Sequence, residues 1–327
     1  MPQGVSILIP VLNAEKWLPG FKLNLTDLLK TTPDPVEVIC VDNGSEDRTV
    51  PLIKDLCETD SRIKLFFAPA GIANALNVGL QNAAYEWIMR HDVDDFSHPH
   101  RITFFRNALS ALSPEDREQI AIVTSHSVLF DAGYHVLSVL PTKPGIQTIL
   151  SGLQPVNSFV HGSLFLRRSA VEQAGAYRQN LAHLEDVDLW WRLAEAEWKA
   201  CGLTHFLYWF RIHPASVSTA NLQTQMASAS MLFPPEKKGL WSTLDRGAIR
   251  QLIWSGKRSE AFQWAMRTIR FGFPRKSDLF HVMRLIFGDQ LDRAHGWILK
   301  QNETEIKDFH SLMLNDYSGR VSRTAAR

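Results

Sequence analysis

The chain predicts an α/β fold, a mostly parallel sheet flanked by helices and followed by a helical appendage. Three observations in its 327 residues carry that reading. Short apolar runs rich in Val and Ile alternate with stretches of helical period from Val5 to Met89, and such alternation builds parallel sheets because a parallel crossover is usually helical. Polar Asn13, Asp42 and Asp92 all fall where these runs end, on the carboxyl edge at which open α/β sheets bind ligands. Beyond Thr219 only helical spacing remains.

Val5 to Pro10 is a β-branched run stopped by proline, and Asn13 can cap a helix from about Ala14 to Lys30. Val36 to Val41 reads as a second, buried strand; it ends at Asp42-Asn43-Gly44-Ser45, where Ser45 or Asp47 can cap a helix through Cys57. Ile63 to Phe67 is the third strand, Ile72 to Ala84 a helix, and Trp87-Ile88-Met89 a fourth strand running into Asp92. Ile120 to Thr124 and Val136 to Leu140 flank a turn at Asp131-Ala132-Gly133, and Leu164 to Leu166 is a further strand. Asp186 to Ala200 has helical spacing, with Leu189, Leu193 and Ala196 on one face; His205 to Phe210 returns to strand character. Later, Ile249, Leu252 and Ile253, then Phe262, Ala265, Met266 and Ile269, mark helices separated by Ser255-Gly256-Lys257-Arg258. The chain therefore divides into an α/β domain, residues 1–220, and a helical region, residues 221–327.

With 45% hydrophobic and 21% charged residues the composition is that of a globular protein. Cys40, Cys57 and Cys201 are odd in number and set among apolar residues, which predicts free thiols in a reducing compartment. The start, Met1-Pro2-Gln3-Gly4, lacks the basic and apolar regions of a secretion signal. No run approaches the roughly 18 apolar residues of a membrane span, so a cytoplasmic location is expected. Charge is unevenly spread: residues 1–220 hold 18 Lys and Arg against 24 Asp and Glu, and residues 221–327 hold 17 against 10. A net charge of +7 beside Trp241, Trp254, Trp264 and Trp297 fits peripheral contact with an anionic membrane face, and equally a solvated basic surface over a small tryptophan core.

Two acidic clusters carry the chemistry, His91-Asp92-Val93-Asp94-Asp95 after a strand and Leu184-Glu185-Asp186-Val187-Asp188 before a Trp-rich helix. Crowded carboxylates repel unless a cation sits among them or one is kept basic. One aspartate would suffice to cap a helix at Ser97-His98-Pro99; three within four residues favour a cation bound through oxygen. Glu185 and Asp186, taken alone, are explained by the helix dipole, and His213 by an ordinary loop. Asn77, in Gly71-Ile72-Ala73-Asn74-Ala75-Leu76-Asn77-Val78-Gly79, is equally a site residue or a helix-surface one, and the glycines there permit close helix packing. Zinc spacings, a phosphate loop and a glycine-flanked serine elbow are all absent from the sequence.

In order and spacing, these segments resemble family 2 glycosyltransferases of the GT-A fold, inverting enzymes of the kind that build bacterial cell-surface polysaccharide. The likeness runs from Val5 to Asn221. Val5 to Asn13 resembles the opening strand and nucleotide loop, and Val41 to Thr49 the second signature, with Asn43 where many members have aspartate. Asp92 to Asp95 is similar to the aspartate motif. His161-Gly162-Ser163 with Arg167-Arg168 resembles the acceptor loop, Glu185-Asp186 the motif that supplies the base, and Arg211 to Ser218 the closing segment.

The resemblance implies a donor site of Pro10, Val11, Asn13, Asp42, Asn43, Asn77, Arg90, Asp94 and Glu185. It places Mn²⁺ or Mg²⁺ on Asp95 and His213, and makes Asp186 the general base. The implied partners are a nucleotide-sugar donor, UDP-linked by preference, and a glycan or lipid-linked acceptor; nucleic acid is not among them. A nucleotidyltransferase would share the sheet, yet Val11-Leu12-Asn13-Ala14 offers no glycine-rich phosphate loop. A non-catalytic sugar-nucleotide-binding module would have no use for Asp94, Asp95, Asp186 and His213 together.

Overall fold

The computed structural model describes residues 4–32, 35–153 and 159–213. The region 221–327, expected to be helical, and the segment 214–220 lie outside the described residues. The first half alternates β1 (Val5–Val11), α1 (Leu18–Thr31), β2 (Val36–Asp42), α2 (Thr49–Thr59), β3 (Ile63–Phe67), α3 (Ile72–Asn82) and β4 (Trp87–Arg90). Then come β5 (Phe96–Ser97), α4 (Arg101–Ala111), α5 (Pro114–Glu118), β6 (Ile120–Phe130), β7 (Val136–Leu140), β8 (Gly145–Thr148) and α6 (Ile149–Leu153). A 3-10 turn at His161–Ser163 leads into β9 (Phe165–Arg167), α7 (Arg168–Gln173), α8 (Glu185–Glu195) and β10 (Lys199–Arg211).

The strands form one sheet in the order β3-β2-β1-β4-β9-β6-β10-β5, with β7 on β6 and β8 on β10. Its first four strands are parallel, as their helical crossovers require. From β9 onward the sheet is mixed: β9 runs antiparallel to both β4 and β6, whereas β6 and β10 are parallel. The expectation of a mostly parallel sheet thus describes one half of it. Short returns such as the Asp131-Ala132-Gly133 turn, confirmed between β6 and β7, make antiparallel pairs instead.

Alternation along β1 divides the core in two. Ile7, Ile9 and Val11 pack with Phe21, Leu25, Leu28 and Ile53 on the α1/α2 side. Leu8 packs with Leu76, Leu80, Leu189, Trp190 and Leu193 on the α3/α8 side. Both layers are built of buried apolar side chains, and their carboxyl edge is left to polar ones. Among the described residues no helix is long and apolar enough to cross a membrane, and all three cysteines are free.

Several boundaries differ from the sequence reading, among them the start of α1 and the end of α8. Helix α1 begins at Leu18 with Pro19 in its first turn, four residues after the expected start. Asn13 has φ +49° and its side-chain oxygen accepts from Glu46 N at 2.9 Å, so it bridges to the β2 loop and does not cap α1. At the other end Lys199 and Ala200, expected in the helix, open β10. Glu197 turns left-handed at φ +60°, ending the helix and freeing Lys199 to pair with Ile120 and Thr148.

Close packing of α3 on β1 depends on Gly79, where a Cβ would stand 1.9 Å from Leu8 Cδ1. Alanine is the better helix former by about 1 kcal/mol, but overpacking a core costs roughly 1–3 kcal/mol, and an overlap this deep puts Gly79→Ala at the upper end. A net loss of about 1–2 kcal/mol in urea unfolding is expected; unchanged or raised stability would show that Leu8 rotates away freely.

Candidate active site

Three loops at the carboxyl ends of β1, β2 and β4 form the floor of the site. Val11 is paired in register with Asp42, and Asn43 N donates to Val11 O at 3.2 Å. Pro10 and Val11 are strand residues whose place is set by this pairing. The Asn13 and Ser45 side chains cross-link the β1 and β2 loops: Asn13 N donates to Ser45 Oγ at 2.9 Å, and Glu46 N to Asn13 Oδ1. Asn43, oriented to satisfy both ends of its amide, donates to Val11 O at 2.7 Å and accepts from Gly71 N at 3.2 Å. It knits β1 to the start of α3. Asp42 differs. Its Oδ2 accepts from Gly44 N and Ser45 N at 3.1 and 3.2 Å, while its buried Oδ1 has no partner.

In the aspartate loop each carboxylate has a distinct surrounding. Asp92 Oδ1 accepts from Arg90 Nη2 at 2.6 Å; Arg90 is 2% exposed and also donates to His91 O. Asp95, expected to hold the metal, is 1% exposed. Both its oxygens are taken by protein donors: Tyr208 Oη at 2.5 Å and Arg211 N at 2.7 Å. Burial, then repulsion from Asp94 and Asp92, drives its carboxyl well above the usual range. Asp94 is the more open one, and its Oδ2 lies 3.0 Å from His213 Nε2. The Trp17 ring packs against His213 with centroids 5.0 Å apart. Arg211 Nε donates to Asp94 O at 2.7 Å, and its guanidinium is surrounded by Trp17, Phe96, Phe130 and Tyr134 at 4.5–5.3 Å. A hollow of about 210 Å³ beside these groups is lined in part by Lys16, Trp17, Asp94, Tyr134 and Arg211. A larger one of about 370 Å³, between α3 and Gln179, contains none of the carboxylates.

The second acidic cluster opens α8, where the helix dipole favours negative charge. Asp188 Oδ1 takes a hydrogen bond from Arg178 at 2.9 Å and its Oδ2 two from Arg192 at 2.6 and 2.9 Å, so it is a structural ion pair. Glu185 and Asp186 answer to Arg90 across the site. Burial first, then Asp186, pushes the Glu185 carboxyl up to about 8, with Arg90 pulling the other way. Burial likewise raises Asp186, opposed by hydrogen bonds from its own turn, among them Val187 N at 2.7 Å, and by Arg90.

Arg90 also faces Tyr177 and His161, whose Oη and Nε2 are 2.8 Å apart. Tyr177 is held by Asn77: Nδ2 donates to Tyr177 O at 2.8 Å, and Tyr177 N to Oδ1 at 3.0 Å. Asn77, expected at the donor, has both ends of its amide occupied by this loop. Gly162 allows a close approach within the site, since a Cβ there would sit 2.0 Å from Tyr208 Oη and 3.0 Å from Asp92 Oδ2. Tyr208, Arg211 and Tyr177 were not singled out from the sequence. A tyrosine and an arginine inside an apolar strand, Leu207-Tyr208-Trp209-Phe210-Arg211, were the available signal, because buried polar groups must find partners.

This layered sheet with carboxylates gathered along one edge is the GT-A architecture. The chain belongs to glycosyl transferase family 2: residues 6–173, just over half of it, match that family. An uncharacterized glycosyltransferase of Haemophilus influenzae is 37% identical over 94 residues, 28% of this chain and 36% of that protein. One from Rickettsia typhi is 26% identical over 191 residues, 58% of each chain. The chain therefore spans about a third to somewhat over half of the length of these relatives. Among solved structures, S. aureus TarS residues 1–349 in complex with UDP superposes with a TM-score of 0.52 at 14% identity, covering 97% of this chain and 92% of that one. The mannosyltransferase PcManGT from Pyrobaculum calidifontis, in complex with GDP-Man and Mn²⁺, gives 0.52 at 17%, covering 94% and 88%. These likenesses are of fold.

Glu185 makes stability depend on pH. Its unfolded carboxyl loses a proton near the ordinary 4.5 but the folded one only near 8, so folding is progressively penalised as pH rises between those values. Glu185→Gln, which has no proton to lose, should match wild type near pH 4.5 and melt about 3–6 °C higher at pH 8. Equal melting curves at both pH values would refute a buried, proton-holding Glu185.

Proposed function

We propose that the protein transfers a sugar from a nucleotide-diphosphate donor to a hydroxyl of a glycan or lipid-linked acceptor, with inversion at the anomeric carbon. One observation carries this. The Asp92–Asp95 loop and the Glu185–Asp186 turn, more than ninety residues apart, converge on a single buried guanidinium, Arg90. Family membership supports transfer of a sugar, and the UDP and GDP-Man complexes of the solved neighbours support a nucleotide-linked donor. UDP-sugar is the first choice.

Asp42, with its unpartnered buried oxygen, is assigned to the nucleobase. A cation site formed by Asp94 and His213 replaces the expected Asp95 and His213, since both Asp95 oxygens already hold protein donors. One carboxylate oxygen and one imidazole nitrogen fit Mn²⁺ or Mg²⁺ when substrate oxygens complete the shell. Among the described residues no group of three or more ligating side chains provides a closed site. The chemistry a cation supplies there is neutralisation of the departing diphosphate.

Asp186 is the general base. Two carboxyls so close do not both ionise readily; Glu185, the more buried, keeps its proton, and half-buried Asp186 remains available. The acceptor O–H proton passes to the Asp186 carboxylate, the oxygen bonds to the anomeric carbon, and the C–O bond to the diphosphate breaks with its electron pair. A raised carboxyl is the better base at neutral pH because its basicity lies closer to the working range. The basic region 221–327, with its +7 charge, is assigned to the anionic inner face of the cytoplasmic membrane, where a lipid-linked acceptor would lie.

Asp186→Asn keeps shape and removes basicity, so turnover should fall about a hundredfold or more while donor affinity stays within twofold. A parallel loss of both would make Asp186 a donor ligand. In calorimetry, Asp94→Ala and His213→Ala should each abolish the Mn²⁺ requirement of UDP binding. Equal UDP affinity of the wild type in EDTA and Mn²⁺ would count against the cation site.

A further inference from the structure

The hollow of about 370 Å³ between α3 and Gln179 has no part in the chemistry described so far. One wall is α3. Its buried side is apolar, with Ala73, Leu76 and Leu80, whereas Asn74, Asn77, Val78 and Gln81 recur at helical spacing on the other side and line the hollow. Pro69, ahead of the helix, and Gln179, on the loop preceding α8, complete the lining. That loop is fixed in place. Asn77 Nδ2 donates to Tyr177 O at 2.8 Å, Tyr177 N donates to Asn77 Oδ1 at 3.0 Å, and Arg178 pairs with buried Asp188 at 2.9 Å. Gln179, next in the chain, is thereby held across from the helix, so the hollow is preformed, as ligand sites usually are.

The lining decides what the hollow can hold. None of its residues is charged, so a phosphate or carboxylate finds no counter-charge there. Its apolar part is Pro69 and Val78 alone, too little for a lipid tail or a flat cofactor. What remains is amides, each with a donor and an acceptor. Asn74 Nδ2 donates to Ala70 O at 2.8 Å and leaves its oxygen open, and among the described residues the Gln81 and Gln179 side chains make no hydrogen bond. Four amides beside a small apolar patch match a neutral sugar, whose hydroxyls both donate and accept and whose C–H face is apolar.

The hollow also shares a wall with the acidic site. Tyr177, whose backbone sits on Asn77, has its Oη 2.8 Å from His161 Nε2, and both of these side chains face Arg90. Resting on the proposed sugar transfer, we propose that the hollow between α3 and Gln179 is a subsite for an inner sugar of a neutral glycan acceptor. Gln81 and Gln179 read its hydroxyls, and Asn77 is the positioning residue that holds the wall. A glycan whose terminal hydroxyl lies at Asp186 continues past Tyr177 into this subsite. The acceptor is then recognised through its sugars, whichever carrier bears them.

The test is saturation-transfer NMR of the full chain with the methyl glycosides of glucose, galactose and N-acetylglucosamine, and with that of glucuronic acid as the charged control. At least one neutral glycoside should bind, with millimolar affinity. The double variant Gln81→Ala/Gln179→Ala, at exposed positions where folding is not at stake, should weaken that binding at least about fivefold, the scale of one or two net hydrogen bonds. Calorimetry with Mn²⁺ should find its UDP affinity unchanged. No neutral glycoside bound, equal binding by wild type and variant, UDP weakened alongside the glycoside, or the glucuronide preferred to every neutral glycoside would each overturn the subsite and leave the transferase reading standing. A wild type that binds glycosides but neither UDP nor GDP would overturn that reading, and the acceptor role with it.

Discussion

The rest of the site depends on one buried cation. Arg90 ends β4, a central strand paired to β1 at Leu8, and is 2% exposed. Burying an isolated guanidinium costs several kcal/mol, and the structure offsets that cost with the Asp92 carboxylate at 2.6 Å and the His91 carbonyl. In exchange, carboxylates from two distant segments can be gathered at one edge. Burial and mutual repulsion push Glu185, Asp186 and Asp92 toward their neutral forms, and Arg90 is the opposing influence common to all three. Its charge also lowers the proton affinity of His161, already depressed by burial, so the imidazole beside Tyr177 is neutral. A neutral residue at position 90 would remove the one charge that opposes the repulsion among all three.

The other organising element is β10, thirteen residues long, which carries Tyr208 and Arg211 to the aspartate loop. Asp94 and Asp95 sit in a turn closed by Asp95 N donating to Asp92 O at 3.3 Å, and their side chains divide between two sets of partners. Asp95 turns inward to Tyr208 and the Arg211 amide; Asp94 turns outward to His213. Arg211 braces both. Its backbone binds one aspartate and its side chain the carbonyl of the other, while four aromatic faces hold the guanidinium in place. Asp95 thereby contributes rigidity to the loop from which Asp94 projects.

How much of this was legible in the sequence follows from the range of each interaction. Strands β1 to β4 and their helices were readable because their periodicity is local, and Asp42, Asp92 and Asp186 because each marks the end of an apolar run or the start of a helix. Which of Asp94 and Asp95 faces outward was not readable: it is set by Tyr208 and Arg211, more than a hundred residues away. The same holds for the amides. Asn77 matches the backbone of Tyr177 with both its donor and its acceptor across a hundred residues, as buried Asn24 does with Ser97. Asn43 does so with Val11 and Gly71. In sequence a buried amide clamp and a ligand-binding amide look alike, since both need a donor and an acceptor near the sheet edge.

The first turn of α8 shows how stability and chemistry are separated within four residues. Three acids there all benefit from the helix dipole, yet only Asp188 is matched by short arginine contacts, to Arg178 and Arg192. That pairing anchors the helix: Arg192 also reaches the carbonyls of Ala174 and Ala176, binding the turn that precedes Tyr177. Since the anchor lies one turn along, neither Glu185 nor Asp186 has to be held in a strong ion pair to keep the helix in place. A carboxylate locked by arginine has its pKa pulled down and makes a poor base. Leaving these two under the weaker, shared influence of Arg90 lets burial keep their proton affinities raised, as the proposed proton transfer near neutral pH requires.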